Sequence, residues 1–394
     1  MKIISVVGAR PNFMKIAPFC RAIALYNQQH ADQEIKHVLV HTGQHYDVRM
    51  SESFFRSLGI PDPDINMEVG SGSHAEQVGN TMMAFEKVCL DEKPDWVVVV
   101  GDVNATLACS VTAKKLNIKV CHIEAGLRSG DMTMPEEINR LVTDRLSDLL
   151  LTPDRMSSEN LRKEGVPEEQ IAFVGNIMID TLENNRDKAA RLDIETIIAE
   201  NIIEGTQSSN SIQSNFNPSG DLKEAGSFAV CTLHRPSNVD QKEIIGAILD
   251  FFADEVAQDM PVIWAIHPRT QKMLRNFGLW DKAVAAPNLI LLNPIGYHEM
   301  LRLNMSATIM LTDSGGLQEE CCVLGTPCLT LRWNTERPVT LKEHGGASVL
   351  VGNNIKRIRE EYRIALATDR QPQRPELWDG NTAMRCVEAI VRLS

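Results

Sequence analysis

The sequence predicts an α/β protein of two αβα domains, each built on a parallel sheet and facing the other across a cleft. Short β-branched runs with little polar alternation are separated by amphipathic stretches, as in parallel strands covered on both faces. The pattern stops at Gly205–Gly226, GTQSSNSIQSNFNPSGDLKEAG, and restarts after it. That segment is too rich in Ser, Asn, Gln and Gly to bury a core, and it reads as a surface excursion near the domain boundary. A chain of 394 residues is also long for one core. The expected division is 1–180, 181–370 and a last segment 371–394, whose helix Asn381–Leu393 is expected to pack back on the first domain.

In the first series, Lys2–Val7, Ile35–His41, Trp96–Val100 and Val120–Ile123 read as strands. Phe13–Ala24, Ala105–Lys115 and Glu136–Leu150 read as helices. In the second series, strands are expected at Phe228–Thr232, Val262–Ile266, Leu289–Leu292, Ala307–Leu311 and Cys328–Leu331. Parallel sheets bind ligands beyond the carboxyl ends of their strands, so the polar residues just after each strand are the candidates for chemistry.

The formal charge of −12 argues against a nucleic-acid partner and against attachment to anionic lipid. An anionic ligand must therefore meet a local positive site. The nine cysteines form no CxxC pair and sit largely in apolar runs, as expected in a reducing cytoplasm. No signal peptide or bilayer-spanning run is evident.

Leu311–Gly325, LTDSGGLQEECCVLG, reads as the end of a strand, a glycine turn and a helix. Ser314, Gly315 and Gly316 would place a hydroxyl and free N–H groups at the helix start, where phosphate binds. Glu320, in the opening turns, is placed to reach ribose hydroxyls. The plainer alternative is that Asp313 or Ser314 is an N-cap. After the first strand, Gly8-Ala9-Arg10-Pro11-Asn12-Phe13-Met14-Lys15 puts Arg10 in a loop and Lys15 in the first turn of a helix, where a cation opposes the dipole unless an anion is bound. Asp102 and Asn104 follow Trp96–Val100 and are candidate caps. Glu124 sits directly on a strand end and needs a partner, for which Arg128 is available. Thr133-Met134-Pro135-Glu136 has capping-box spacing, and Glu136 lies four residues before Arg140, an ion-pair spacing. His234-Arg235 leaves a strand, as does His267 one strand later; such pairs suit a pyrophosphate. Arg332 and Arg337 add cations. No metal-ligand spacing or G-x-S-x-G elbow appears.

Together, GARPNFMKIAP, TGQHYD, GDVNATLA, HIEAGLRSGD, MPEEINR, LHRP, DSGGLQEE, GTPCLTLR and TERP resemble the non-hydrolysing UDP-N-acetylglucosamine 2-epimerase family, in family order across nearly the whole chain. The resemblance implies two Rossmann-like αβα domains of the glycosyltransferase-B type, a UDP-sugar substrate in the cleft, a homodimer, and neither metal nor other cofactor. It implies that Asp102, Glu124 and Glu136 are acid/base carboxylates, with His234 and Lys15 completing the catalytic set. Arg10, Arg140, Arg235, His267, Ser314, Gly315, Gly316, Glu320 and Arg337 would bind the UDP-sugar. The implied reaction interconverts UDP-GlcNAc and UDP-ManNAc by loss and return of UDP.

GARPNF and TGQHYD are also similar to relatives acting on modified sugars such as UDP-2,3-diacetamido-glucuronate. Two departures stand out. Pro236-Ser237-Asn238 has serine where many relatives have glutamate. Gln44-His45-Tyr46-Asp47 differs from the bacterial form associated with a second, allosteric UDP-GlcNAc. A glycosyltransferase of the same fold and a non-catalytic UDP-sugar sensor remain the competing functions; acceptor dependence and tolerance to carboxylate loss separate them.

Overall fold

The computed structural model describes residues 1–8, 10–43, 58–206 and 228–394, without the side chains of Arg10 and Pro11. All but the start of Gly205–Gly226, and the whole of Gln44–Asp47, lie outside the described residues. The chain divides into two compact units, Met1–Asn184 with Pro375–Ser394, and Asn185–Arg374. The division falls inside the helix Ile177–Ala190.

The first unit contains β1 (Lys2–Val7), β2 (Lys36–His41), β3 (Ile65–Asn66), β4 (Trp96–Val100), β5 (Lys119–Ile123), β6 (Leu149–Thr152) and β7 (Ile171–Phe173). Their order in the sheet is β3-β2-β1-β4-β5-β6-β7, and every pairing is parallel. The second contains β8 (Ala229–Thr232), β9 (Val262–Ala265), β10 (Leu289–Leu292), β11 (Ile309–Thr312), β12 (Cys328–Thr330) and β13 (Ser348–Leu350). Its order is β10-β9-β8-β11-β12-β13, again parallel throughout. Each sheet begins in its middle and grows outward in both directions. The order therefore reverses between β1 and β4 in one unit and between β8 and β11 in the other. Those two switch points are where a doubly wound sheet opens a crevice at its carboxyl edge.

Burial explains why these runs are strands. All five residues of β4, WVVVV, are buried. In β11, Ile309 and Leu311 join one apolar core while Met310 joins another, so both faces of the sheet are covered.

Three expectations need correction. The helix begun at Phe13 runs from Arg10 to Gln29, which moves Lys15 into its second turn. The helix read as Glu136–Leu150 ends at Leu146, and Leu149–Thr152 is β6. Ser147 leaves the helical conformation, and Asp148 accepts the Val120 N–H at 2.8 Å and pairs with Lys114, fixing the new strand beside β5. Finally, β3, β7 and β13 are two- or three-residue edge strands with too little apolar signal to be read.

The last segment is held in the first unit by specific bonds. The buried Trp378 indole donates to Pro153 O at 2.9 Å, and Arg385 donates to Val174 O at 2.6 Å. Asp180 accepts the N–H groups of Thr382 (3.0 Å) and Ala383 (2.7 Å), capping the helix Thr382–Arg392 from a distant element.

Candidate active site

In the first unit, Asn12 spans the switch point. Its amide donates to Val100 O at 2.7 Å and accepts from Gly8 N at 3.3 Å, tying the end of β4 to the turn after β1. One turn further on, Lys15 pairs with Glu124, which lies 109 residues away at the end of β5. Both side chains are buried. Glu124 takes a left-handed φ of 75°, which costs a non-glycine residue free energy and marks a site where surroundings dictate the backbone. Arg128, the expected partner of Glu124, is engaged elsewhere, by Asp144 at 2.7 Å and Glu164 at 2.7 Å.

Asp102 does not cap the helix Asn104–Lys115, which begins after Val103 without a side-chain cap. Its carboxylate instead pairs with Arg140. Arg140 is 1% exposed and is gripped on its other side by Glu137, at 2.5 and 3.0 Å. Glu137 also accepts the N–H groups of Ser129 and Gly130. Burial would raise its carboxyl, but these N–H donors and the Arg140 guanidinium hold it below the usual carboxylate range. Arg140 therefore bears on the site through Asp102.

The expected Glu136–Arg140 ion pair and capping box do not form. The helix is capped at Met134 without a side-chain bond, and the Thr133 hydroxyl donates to Asp131. Glu136 is half-buried and has no hydrogen-bond or ion-pair partner among the described residues. It sits in the first turn of its helix, where the positive dipole end favours a carboxylate. Three carboxylates are thus set by the ends of β4, β5 and the following helix. Arg10 opens the helix after β1, its side chain lying outside the described set.

In the second unit, Asp313 organises the switch point. It is fully buried and is no N-cap; its oxygens accept His234 N (3.0 and 3.1 Å), Arg235 N (2.8 Å) and Asn238 Nδ2 (3.0 Å). His234 Nδ1 lies 2.9 Å from the same carboxylate. Burial would raise Asp313, but His234 and the N–H donors hold it low. Asn238 also donates to Leu331 O at 2.8 Å, so it joins the turns after β8, β11 and β12. Ser237, the serine of the first departure, is exposed beside it. The half-exposed His234 packs against His267 with ring centroids 5.5 Å apart. His267 caps the helix Pro268–Asn276 by accepting Arg269 N at 3.1 Å.

The helix Gly315–Leu324 starts after Ser314, whose side chain makes no capping bond. Its first N–H groups are the intrinsic orphans of a helix start. Arg337 stands against this turn: a Cβ added to Gly315 would lie 2.7 Å from Arg337 Nη1 and 2.9 Å from Glu336 Oε1. Glycine is required there by close approach. Two carboxylates hold the guanidinium, Glu319 at 2.7 Å from Nε and Glu336 on Nη1. A fixed cation, a hydroxyl and orphan N–H groups converge, which is the chemistry of a phosphate site.

Glu320 lies behind this turn, 2% exposed. Burial pushes its carboxyl up to about 7; Glu319 adds to the shift, while Tyr297 and Asn304 oppose it. Below its ordinary value of 4.5 this group does not affect stability. As pH rises from there to about 7 the unfolded chain loses the proton first, so the folded state is progressively penalised, and fully so above 7. Glu320→Gln is expected to stabilise the protein at pH 8 by on the order of 2 kcal/mol, with the gain fading by pH 5. Urea unfolding at the two pH values measures this; equal gains at both would refute it.

Asp313, Asn238, Glu137, Glu319 and Glu336 were not singled out as functional from the sequence. Their partners are set by the packing of separate loops, and no local spacing announces them.

Two doubly wound units, one ending in buried carboxylates and the other in a phosphate-type helix start, define the class: a nucleotide-handling α/β protein of the glycosyltransferase-B type. A lipopolysaccharide outer core galactosyltransferase shares that fold alone, at 14% identity and a TM-score of 0.51 over all of both chains. The family model described as UDP-N-acetylglucosamine 2-epimerase matches residues 27–391, and the chain belongs to that family. The UDP-N-acetylglucosamine 2-epimerase of Methanocaldococcus jannaschii is 39% identical over 392 residues, covering 99% of each chain. A crystal structure of the Methanocaldococcus jannaschii UDP-GlcNAc 2-epimerase in complex with UDP-GlcNAc and UDP matches over all of both chains, with 38% identity and a TM-score of 0.84. The UDP-2,3-diacetamido-2,3-dideoxy-D-glucuronate 2-epimerase of Pseudomonas aeruginosa is 36% identical over 397 residues, all of both chains. No helix among the described residues is long and apolar enough to cross a membrane.

Proposed function

We propose that the protein interconverts UDP-GlcNAc and UDP-ManNAc by inverting C2 of the sugar. The observation that carries this reading is the placement of Asp102, Glu124 and Glu136 at strand and helix ends around buried cations, in a chain whose other unit offers a diphosphate site. The C2 proton of an N-acetyl sugar has no adjacent carbonyl, so a free carbanion is too costly. A base removes that proton as the C1–O bond breaks. The C2–H electron pair becomes the C1=C2 bond of 2-acetamidoglucal, and UDP leaves with the C1–O pair. UDP then re-forms the C1–O bond while an acid delivers a proton to the opposite face of C2.

In this reading Asp102, Glu124 and Glu136 divide the acid and base roles, and Lys15 holds Glu124 through their ion pair. His234, Arg337, Arg10, Arg235 and His267 stabilise the departing diphosphate; Ser314, Gly315 and Gly316 hold its oxygens, and Glu320 serves the ribose. Arg140 acts by holding Asp102. In the same reading the protein is a homodimer, as the family resemblance implies, and works in a reducing cytoplasm, as its cysteine usage suggests, in polysaccharide biosynthesis.

Incubation with UDP-GlcNAc in D2O is expected to give UDP-ManNAc carrying deuterium at C2, read by NMR. Product without label, or no exchange at C2, would refute the elimination. The Pseudomonas aeruginosa relative favours a second substrate, UDP-2,3-diacetamido-glucuronate. A higher kcat/KM for that sugar would move the substrate while leaving the reaction in place.

A further inference from the structure

The two loops carrying Asp102 and Glu124 are braced by a single buried carboxylate. His122, on β5, is fully buried; its Nε2 lies 2.8 Å from Gly101 O, in the residue before Asp102. Its Nδ1 lies 2.6 Å from Asp144 Oδ1, on the helix Pro135–Leu146. The other Asp144 oxygen accepts Gly126 N at 3.0 Å, two residues beyond Glu124, and Arg128 Nη1 at 2.7 Å. Gly101 has a φ of 67° and lies directly beneath the ion pair: a Cβ there would stand 3.1 Å from Lys15 Nζ and 3.2 Å from Glu124 Oε2. Movement of Gly101 therefore displaces Asp102 and crowds the Lys15–Glu124 pair.

Donor accounting orients the ring. A carbonyl oxygen only accepts, so His122 Nε2 carries hydrogen. Asp144 faces a backbone N–H and a guanidinium in addition to the ring. Burial alone would raise its carboxyl, but His122 and Arg128 hold it low.

We propose that His122 and Asp144 form a positioning pair for the loops bearing Asp102 and Glu124. The inference rests on the epimerase reading for its effect on rate. A displacement of about 1 Å at reacting groups costs roughly 100-fold, so Asp144→Asn and His122→Gln are expected to lower kcat about 10- to 100-fold. UDP affinity is expected to stay within about twofold of the parent, because neither residue belongs to the diphosphate site. A merely structural role would lower both together.

The parent enzyme supplies an independent measurement. Its ¹⁵N-histidine NMR spectrum, assigned by comparison with His122→Gln, is expected to show hydrogen on His122 Nε2, the nitrogen facing Gly101 O. An Nε2 without hydrogen overturns the proposal even where the variants fail to fold. Folded variants with parental kcat, or with UDP affinity lost in parallel, overturn it as well. A parent inactive on either UDP-sugar, with hydrogen on His122 Nε2, counts against the epimerase reading and for the brace.

Discussion

Glu124→Gln is expected to lower kcat at least ~100-fold while UDP affinity stays within about twofold of the parent. Glutamine keeps the size of the side chain and removes its ability to take or give a proton. The substitution has a second consequence. Lys15 and Glu124 are both buried, and removing one charge leaves the other without compensation, which typically costs about 3–5 kcal/mol. Loss of turnover in the single variant is therefore compounded by loss of stability. Lys15→Met combined with Glu124→Gln removes both charges and separates the two effects. The double variant is expected to recover most of the stability of the parent in urea unfolding and none of its turnover. Recovery of turnover along with stability would show that Glu124 acts only as a structural counter-ion.

The sequence revealed the strands better than the partnerships. β4 is legible because five consecutive apolar residues, four of them β-branched, fit a strand buried on both faces. The edge strands are not, because two or three residues carry no period and their pairing exists only in the folded sheet. Polar residues following strands were legible for the same reason as the strands: a charge placed against an apolar run has to be explained. Glu124 stood out in this way, and Lys15 as a cation at a helix start, but their pairing did not, since 109 residues separate them.

Glu136 and Glu137 show the limit of helical spacing. Arg140 lies four residues from one and three from the other, and both spacings bring side chains together on a helix. The choice is made by the N–H groups of Ser129 and Gly130, which draw Glu137 inward and leave Glu136 without a partner among the described residues. Asp313 was open to reading as a cap because caps are local and common. Its actual donors come from a turn 79 residues earlier, which only the pairing of β8 with β11 brings alongside.

Arg337→Met is expected to weaken UDP binding by at least ~100-fold and to leave the weak binding of uridine nearly unchanged. A hydrogen bond to a charged group contributes about 1.5–3 kcal/mol, and a guanidinium aimed at a diphosphate can make two. Glu319 and Glu336 hold Arg337 in place before any ligand arrives, so little side-chain entropy is lost on binding. Gly315→Ala offers a gentler test of the same geometry. Its Cβ would stand 2.7 Å from Arg337 Nη1, and the guanidinium has to move away from the helix start to admit it. Alanine there keeps every charge and every backbone donor, yet UDP affinity is expected to fall about 10-fold, since the cation and the N–H groups no longer converge on the same oxygens. Calorimetric titration with UDP and with uridine measures both variants. Equal losses for the two ligands would place Arg337 on the nucleoside, and an unchanged UDP affinity in Gly315→Ala would show that the close approach of glycine and arginine serves folding alone.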